Sequence, residues 1–325
     1  MKLAILGTGM IVQEALPIIS GVGFESVSIL GTERSGARTE QLAKQYGLAR
    51  CYFDYDEILS SDADTVYIAL PNNLHVPYAR KALNAGKNVI VEKPAATNLA
   101  EFQELRRLAE EKGLILLEAM TVHYLPAYQS LKKELGAVGQ VRMVSMNFNQ
   151  YSSRYDKFLA GETPPVFDPS KAGGALMDIN VYNLHFIVGL FGKPKAARYY
   201  ANIQRGVDTS GAAVLDYGDF KAVCVAAKDS ESPTPSAIQG EKGCVLIPMP
   251  ANRITAYTVI PNHADGETRE FPEVHRMSSE FQEFRRVIEE KDFQKASAML
   301  DISETVTAIL QEGIKQAGIV FPDSQ

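Results

Sequence analysis

The sequence predicts an α/β protein with two domains. Its first third alternates short apolar runs with helix-length segments, which is typical of βαβ units around a parallel sheet. Later in the chain several strand-like runs follow one another, which favours a mainly antiparallel or mixed open sheet. At 325 residues the chain also exceeds the size that a single core usually supports. We therefore predict a doubly wound Rossmann domain over residues 1–120 and an α+β domain over residues 121–325.

The first domain is predicted to contain five buried strands, over the apolar runs 3–6, 27–30, 65–70, 88–91 and 114–117. Helices are predicted between most of them, over 10–20, 36–46, 75–86 and 98–112. Thr97 or Asn98 is a suitable N-cap for the last helix, and Gly113 fits its C-terminal stop. The regular alternation predicts a parallel sheet.

The second domain is predicted to start with a helix over 125–135 and a long strand over 141–149, followed by a helix over 178–191. Further strands are expected near 195–204, 211–217, 221–227, 243–247 and 254–260, and closing helices near 279–290 and 296–317. Two segments rich in Pro, Ser and Gly, 161–173 and 229–236, are predicted to be loops. The first of these loops is a candidate lining of a substrate site.

Composition argues against several classes of protein. The formal net charge is -6, whereas a nucleic-acid partner usually requires a basic surface. No apolar run approaches the roughly 20 residues of a membrane span, and Met1-Lys2 leads directly into the first strand without room for a signal peptide. Cys51, Cys224 and Cys244 are far apart, which indicates free thiols in a reducing cytoplasm and no metal-ligand spacing. We expect a cytoplasmic protein without a bound metal, a membrane partner or a nucleic-acid partner.

A nucleotide site is predicted where Gly7-Thr8-Gly9 follows the first strand and Met10 and Ile11 open the first helix. The glycines fit a tight turn that brings the backbone close to a pyrophosphate, and the helix N-terminus offers N–H groups to the phosphates. The third glycine position of the fingerprint is occupied by a valine. The alternative is a glycine-rich turn that binds no ligand.

The end of the second strand bears on which nicotinamide cofactor is used. NAD sites usually place an acid there, whereas NADP sites use an arginine and small hydroxyls for the 2′-phosphate. The loop contains Glu33 but also Thr32, Arg34, Ser35 and Arg38. The arginines favour NADP, with NAD as the alternative, because a guanidinium can bind a phosphate through two hydrogen bonds. A solvated loop is the simpler interpretation of each charge.

Polar residues also follow the fourth and fifth strands. Leu70-Pro71-Asn72-Asn73 ends the fourth strand, and His75 begins the next helix; turn chemistry and capping are the simpler interpretations. Glu92-Lys93-Pro94 ends the fifth strand. Ligands of open α/β sheets bind at the carboxyl ends of the strands, so these residues are candidates for the same nucleotide site. Lys93 is in addition a candidate catalytic residue.

A third motif lies in the second domain, where Gly173-Gly174 precede Asp178, Tyr182 and His185. Asp178, Tyr182 and His185 stand at i, i+4 and i+7, which places an acid, a phenol and an imidazole on one face of the predicted helix. A face with three ionisable side chains does not suit an apolar core. The alternative is a solvated or hydrogen-bonded face, and His185 is a candidate structural or substrate-lining residue.

Together the motifs Gly7-Thr8-Gly9, Pro71 to His75, Glu92-Lys93-Pro94 and Gly173 to Tyr182 resemble the glucose–fructose oxidoreductase / inositol dehydrogenase / rhizopine-catabolism (Gfo/Idh/MocA) family. The resemblance covers nearly the whole chain. It implies that Lys93 is the catalytic lysine and that Asp178 belongs to the site. Many members have a histidine where this chain has Tyr182. A tyrosine resembles the glucose–fructose oxidoreductase and dimeric dihydrodiol dehydrogenase branches, the second most closely, and these branches tend to use NADP.

The resemblance implies reversible hydride transfer between nicotinamide and a secondary alcohol of a sugar, polyol or cyclic diol. Tyr182 would exchange the hydroxyl proton, and Lys93 would lower the pKa of Tyr182 and stabilise an alkoxide. Asp178 would orient Lys93 or bind a substrate hydroxyl. The Lys93–Pro94 peptide bond is often cis in the family, and we expect it to be cis here.

Aromatic and polar residues of the second domain are candidates for the substrate pocket: His123, Tyr124, Tyr151, Arg154, Tyr155, Phe158, Phe167 and His185. Each is equally compatible with a core or a dimer surface. The resemblance implies a homodimer or higher homo-oligomer formed through the open sheet. The alternatives to an alcohol dehydrogenase are a non-catalytic nucleotide sensor of the same fold and an enzyme resembling biliverdin reductase.

Overall fold

The computed structural model describes residues 1–322. The chain forms two compact units, Met1–Ala119 with Met277–Glu304, and Met120–Arg276 with the chain from Thr305 onward. It first passes between the units at the point where the sequence pattern changes. The return of residues 277–304 to the first unit was not predicted, because the apolar face of an amphipathic helix does not indicate which sheet it covers.

The first unit begins with alternating strands and helices: β1 (Lys2–Leu6), α1 (Met10–Val22), β2 (Ser26–Leu30), α2 (Gly36–Tyr46), β3 (Arg50–Tyr52), α3 (Tyr55–Leu59), β4 (Thr65–Ile68), α4 (Asn72–Asn84), β5 (Asn88–Glu92), α5 (Leu99–Lys112) and β6 (Leu116–Ala119). Short β3 and α3 were not predicted. The α5 helix is capped as expected, because the Asn98 side chain accepts from the Glu101 N–H and Gly113 ends the helix in the left-handed region.

The strands of this unit pair in the order β3-β2-β1-β4-β5-β6, and every pair is parallel. This is the strand order of a dinucleotide-binding sheet, so the predicted Rossmann fold is confirmed. The carboxyl ends of β2, β1, β4 and β5 are consecutive along one edge. The loops that carry the predicted nucleotide residues all leave from this edge.

The second unit contains α6 (Pro126–Glu134), β7 (Val141–Asn149), α7 (Tyr155–Leu159), α8 (Val181–Phe191), β8 (Ala196–Gln204), β9 (Val207–Asp216), β10 (Lys221–Ala227), β11 (Ser236–Gly240), β12 (Gly243–Ile247), β13 (Ala256–Pro261) and β14 (Glu267–Glu270). The chain ends with α9 (Ser278–Glu289) in the first unit and α10 (Phe293–Gln316), which crosses from the first unit to the second.

The second sheet has the order β14-β13-β12-β11-β7-β10-β9-β8. Only the β7–β10 pair is parallel among the described residues, which confirms the predicted mainly antiparallel, mixed sheet. Strands β11 and β14 were not predicted, since β11 follows a Pro- and Ser-rich segment and β14 is almost entirely polar. The helix predicted over 178–191 begins in a π-helical turn, Leu176–Asn180, and continues as α8.

The helical stretch Pro169–Phe191 is long and apolar enough by composition to span a membrane. In this protein 78% of its apolar window is buried. It therefore has the burial of a helix in a protein core. Its polar residues stand out against these surroundings.

Candidate active site

The loop between β1 and α1 is shaped by its glycines. Gly7 has φ +111°, and a Cβ there would lie 2.6 Å from the carbonyl oxygen of Ala69, so a side chain would not fit between the ends of β1 and β4. A Cβ at Gly9 would meet no atom within 4 Å. Gly9 is also the N-cap of α1, and no side chain caps this helix. The start of α1 therefore offers backbone N–H groups beside open space.

The loop after β2 presents two guanidinium groups. Thr32 and Ser35 fix the loop through reciprocal bonds, with the Thr32 N–H donating to Ser35 Oγ at 2.9 Å. Arg34, Arg38 and Glu33 are exposed. Within residues 1–322 none of these three charged side chains has a hydrogen-bond or ion-pair partner. The two arginines can therefore bind an anion without first breaking an internal contact.

Asn73 and His75 lie in the first turn of α4 but have different surroundings. Asn73 has a buried side-chain oxygen, Oδ1, without a hydrogen-bond partner among the described residues. His75 is 0% exposed, and its Nδ1 and Nε2 atoms lie 2.8 Å from the carbonyl oxygens of Pro94 and Leu70 respectively. Burial lowers the pKa of His75. Asn73 thus retains capacity for a ligand, whereas His75 connects the β4 and β5 loops.

The Glu92-Lys93-Pro94 motif is held by neighbouring side chains. The Tyr67 hydroxyl donates to the carboxylate of Glu92, which is 7% exposed and which also accepts from the Lys93 N–H at 3.3 Å. Lys93 itself is half-buried. The Lys93–Pro94 peptide bond is cis, as the resemblance implied.

The backbone that follows the motif is fixed as well. The Ala95 N–H donates to Glu118 Oε1 at 2.9 Å, while the Pro94 carbonyl faces His75. Burial raises the pKa of Glu118. Both sides of the Pro94–Ala95 peptide are therefore anchored immediately after Lys93, which limits the positions that the Lys93 backbone can take.

The structure brings most of the predicted nucleotide residues to one edge of the first sheet, and four observations fit a dinucleotide there. They are the uncapped α1 N-terminus, the open space at Gly9, the unsatisfied oxygen of Asn73, and the unpaired Arg34 and Arg38. Glu92 and His75 form hydrogen bonds within the protein, and their roles toward a cofactor stay predictions.

In the second unit, the helix that carries Asp178 and Tyr182 starts against a buried carboxylate. Asp208 Oδ2 accepts from the Leu176 N–H at 2.7 Å and from the Tyr199 hydroxyl at 2.6 Å. Gly174 has φ +126°, and a Cβ there would lie 2.0 Å from Asp208 Oδ1. Burial raises the pKa of Asp208 to about 6. The motif glycine therefore gives this carboxylate room to reach the helix start.

Asp178 lies in the π-helical turn and forms an ion pair with Lys228, which directly follows β10. The Asp178 side chain is 30% exposed and the Lys228 side chain 5%. Tyr182 is 7% exposed, and its ring centroid lies 5.9 Å from that of Phe148. Neither Lys228 nor Asp208 was identified from the sequence. In the sequence, Lys228 is only the polar residue after the strand predicted near 221–227, and Asp208 lies before the strand predicted near 211–217.

His185 points to a different neighbour. His123 Nε2 and His185 Nδ1 lie 3.1 Å apart, and the two residues are 4% and 1% exposed. Burial lowers the pKa of His185 to about 3, so the imidazole is neutral near pH 7. Asp178 and His185 therefore have different side-chain partners, Lys228 and His123 respectively. A π-turn changes the angular spacing on which the predicted common face depended.

The other substrate candidates form an aromatic cluster. Tyr151 is 39% exposed and packs edge-on against buried Tyr155, which contacts Phe158 and Phe167. Tyr124 is buried and Arg154 half-buried. The roles of these residues toward a substrate stay predictions. Within residues 1–322, no group of three or more His, Cys, Asp or Glu side chains is arranged to hold a metal ion.

Comparison with known proteins bears on the identity of this fold. Residues 1–120 match the oxidoreductase family with an NAD-binding Rossmann fold, GFO_IDH_MocA, and residues 132–246 match the GFO/IDH/MocA C-terminal domain. In solved structures, a similar fold occurs in a 3-ketoreductase from Actinomadura kijaniata in complex with NADP and TDP-benzene. The TM-score is 0.81 at 20% identity, covering 95% of this chain and 96% of the other.

Two curated relatives extend over the full chain. The scyllo-inositol 2-dehydrogenase (NADP(+)) IolU of Bacillus subtilis is 36% identical, covering 100% of this chain and 99% of the relative. The trans-1,2-dihydrobenzene-1,2-diol dehydrogenase of Mus musculus is 26% identical, with the same coverage of 100% and 99%. The chain is therefore an NAD(P)-dependent oxidoreductase that belongs to the Gfo/Idh/MocA family.

Proposed function

We propose that this enzyme oxidises a secondary hydroxyl of a cyclic polyol or diol reversibly with NADP, using Tyr182 as the acid/base and Lys93 as its electrostatic partner. The observation that carries the proposal is the set of ionisable side chains, Asp178 and Tyr182, on a helix whose other residues are almost all buried. The full-length similarity to an inositol dehydrogenase and to dihydrodiol dehydrogenases supports this substrate class.

The cofactor supplies the hydride acceptor, and the protein has to position the substrate and manage the proton. Tyr182 would take the proton of the reacting hydroxyl while the hydride leaves the same substrate carbon for the cofactor. A free tyrosine titrates near pH 10, so a base that works near neutral pH requires a nearby positive charge. Lys93 would provide this charge and stabilise the developing alkoxide. Asp178 would accept a hydrogen bond from a neighbouring hydroxyl of the substrate.

The preference for NADP is proposed from the loop after β2. Arg34 and Arg38 would bind the 2′-phosphate, with Thr32 and Ser35 as hydroxyl donors, whereas Glu33 would bind only a free ribose hydroxyl. An exposed charge-assisted contact with phosphate contributes about 1–1.5 kcal/mol. The double variant Arg34→Ala/Arg38→Ala should therefore lose about 30–150-fold in kcat/KM for NADP and change little for NAD.

The control for this experiment is Arg107→Ala, which removes an exposed arginine of α5 that pairs with Glu111. This variant should leave both cofactors unaffected. An equal loss of kcat/KM for NADP and NAD in the double variant would argue against a 2′-phosphate site in this loop.

Turnover itself is tested with Tyr182→Phe and Lys93→Met, with NADP affinity measured in parallel. Loss of turnover with unchanged NADP affinity is the expected result. Tight NADP binding by the wild-type protein without turnover on any cyclic polyol or diol would favour a nucleotide sensor.

We also propose a homo-oligomer that associates through the open face of the second sheet. Met143 and Tyr200 on this sheet are 39% and 67% exposed, and Val214, Val223 and Val225 are partly exposed. Analytical ultracentrifugation of the wild type and Tyr200→Glu tests this proposal. A wild-type protein that remains monomeric at micromolar concentration would contradict it.

A further inference from the structure

We propose that Lys228 is a positioning residue of the active site, whose ammonium group keeps Asp178 ionised and offsets its negative charge near Tyr182. The inference rests on the proposed function, in which Asp178 and Tyr182 act on the substrate. It assigns a role to a lysine that directly follows β10 in the second unit.

Burial is the first argument. Lys228 is 4% exposed, and lysines are almost never buried without a charged partner. Its ammonium pairs with the Asp178 carboxylate and lies 5.4 Å from the centroid of the Phe167 ring. The Asp178 side chain remains 30% exposed. The pair thus combines a buried cation with a partly exposed anion. This arrangement is suited to a lysine that holds a carboxylate in place for a substrate.

Anchoring is the second argument. The Lys228 N–H donates to the Thr209 carbonyl at 2.8 Å, and the Lys228 carbonyl accepts from the Ser152 N–H at 2.9 Å. The backbone of Lys228 is therefore held on both sides. A cation on a fixed backbone restricts the rotamers of Asp178, and a carboxylate that binds a substrate hydroxyl must be held in this way.

The third argument is electrostatic. A carboxylate close to a phenol raises the pKa of the phenol, which is unfavourable for a tyrosine that has to act as a base. Asp178 stands four residues before Tyr182 on the same helical stretch, which is the spacing at which helix side chains are neighbours. The charge of Lys228 opposes the effect of the Asp178 carboxylate. It also acts on Asp208, where it works against the burial that raises the pKa of that carboxyl. The ionisable groups of this region include Asp178 and Tyr182 on the helix and Asp208, which accepts from Tyr199. They also include Asp229, which accepts from the hydroxyls of Thr209 and Ser210.

The test compares Lys228→Met with Lys228→Arg. In Lys228→Met, we expect the acid limb of the pH profile of kcat/KM for alcohol oxidation to move upward by about one pH unit, because one nearby positive charge is lost. We expect kcat to fall about 10–100-fold, with NADP affinity unchanged. Lys228→Arg should restore most of the wild-type kcat and most of the wild-type position of the acid limb. Lys221→Met, which removes an exposed lysine at the other end of β10, is the control and should behave as wild type.

A second readout does not depend on turnover. Tyrosinate absorbance is recorded as a function of pH for each protein with and without the additional substitution Tyr182→Phe. The difference between the two curves is the titration of Tyr182. It should shift upward in Lys228→Met and return to the wild-type value in Asp178→Asn/Lys228→Met, in which both charges are absent. The double variant also guards against misfolding, because it leaves no unpaired buried charge.

The outcomes separate this inference from the proposed function. A folded Lys228→Met protein with the wild-type tyrosinate titration and pH profile would overturn the role of Lys228. A wild-type protein without turnover, in which Lys228→Met still shifts the titration of Tyr182, would overturn the proposed reaction and retain the role of Lys228.

Discussion

Replacement of Gly174 by alanine should destabilise the second unit and weaken catalysis, because the new methyl group would occupy the position that the Asp208 carboxylate needs. The added Cβ would lie 2.0 Å from Asp208 Oδ1 and 3.3 Å from Val207 Cγ2, on a residue with φ +126°. A strained backbone of this kind costs about 1–3 kcal/mol. Displacement of Asp208 would also weaken its bond to the Leu176 N–H, and hydrogen bonds to charged groups contribute about 1.5–3 kcal/mol.

We therefore expect Gly174→Ala to lower the free energy of unfolding by about 3–5 kcal/mol. The measurement is urea unfolding followed by circular dichroism and by tyrosine fluorescence, since the chain has no tryptophan. Gly206→Ala is a matched control, with φ +80° and no atom within 4 Å of its Cβ. It should cost about 1–2 kcal/mol from the backbone alone. Equal losses in the two variants would refute the argument that Gly174 makes room for Asp208.

Three further predictions concern buried or unsatisfied polar groups. The pKa of His185 is lowered to about 3 from 6.5, so its contribution to stability is complete above pH 6.5 and is lost as the pH falls toward 3. His185→Gln should therefore flatten the pH dependence of the unfolding free energy in this range by up to about 1.4 kcal/mol per pH unit, and an unchanged slope would contradict the burial argument. Asn73→Ala should weaken NADP binding about 3–10-fold without a loss of stability, as measured by calorimetry, because only a ligand would satisfy its oxygen. His75→Phe should lower kcat and the melting temperature together with little change in NADP affinity; a selective loss of NADP affinity would instead make His75 a cofactor ligand.

The sequence was most informative where structure is local. The alternation of apolar runs and helices predicted the parallel sheet, and the residues after β1, β2, β4 and β5 were expected at one edge because parallel strands end on the same side. The Gly113 cap was also predictable, because helix capping depends on residues that are neighbours in the sequence. The Lys93–Pro94 bond was expected to be cis only through the family resemblance.

Contacts between distant residues were not predictable. Lys228 and Asp178 are 50 positions apart, and His123 and His185 are 62 apart. Such pairs leave no periodic signal in the sequence. The common face of Asp178, Tyr182 and His185 was predicted from ideal α-helical spacing alone. The π-turn at Leu176–Asn180 and the partners on other elements, Lys228 and His123, could not be predicted from that spacing.

The proposed reaction is tested most directly by turnover of a panel of cyclic polyols and diols with NADP by the wild type and by Tyr182→Phe, with NADP affinity measured for both. We predict that the wild type forms reduced cofactor with a primary deuterium isotope effect on the reacting carbon. We predict that Tyr182→Phe binds NADP equally well but reacts at least about 100-fold more slowly, because general acid–base catalysis contributes about 10²–10⁴-fold. A Tyr182→Phe enzyme that retains the wild-type rate would contradict the assignment of Tyr182 as the acid/base.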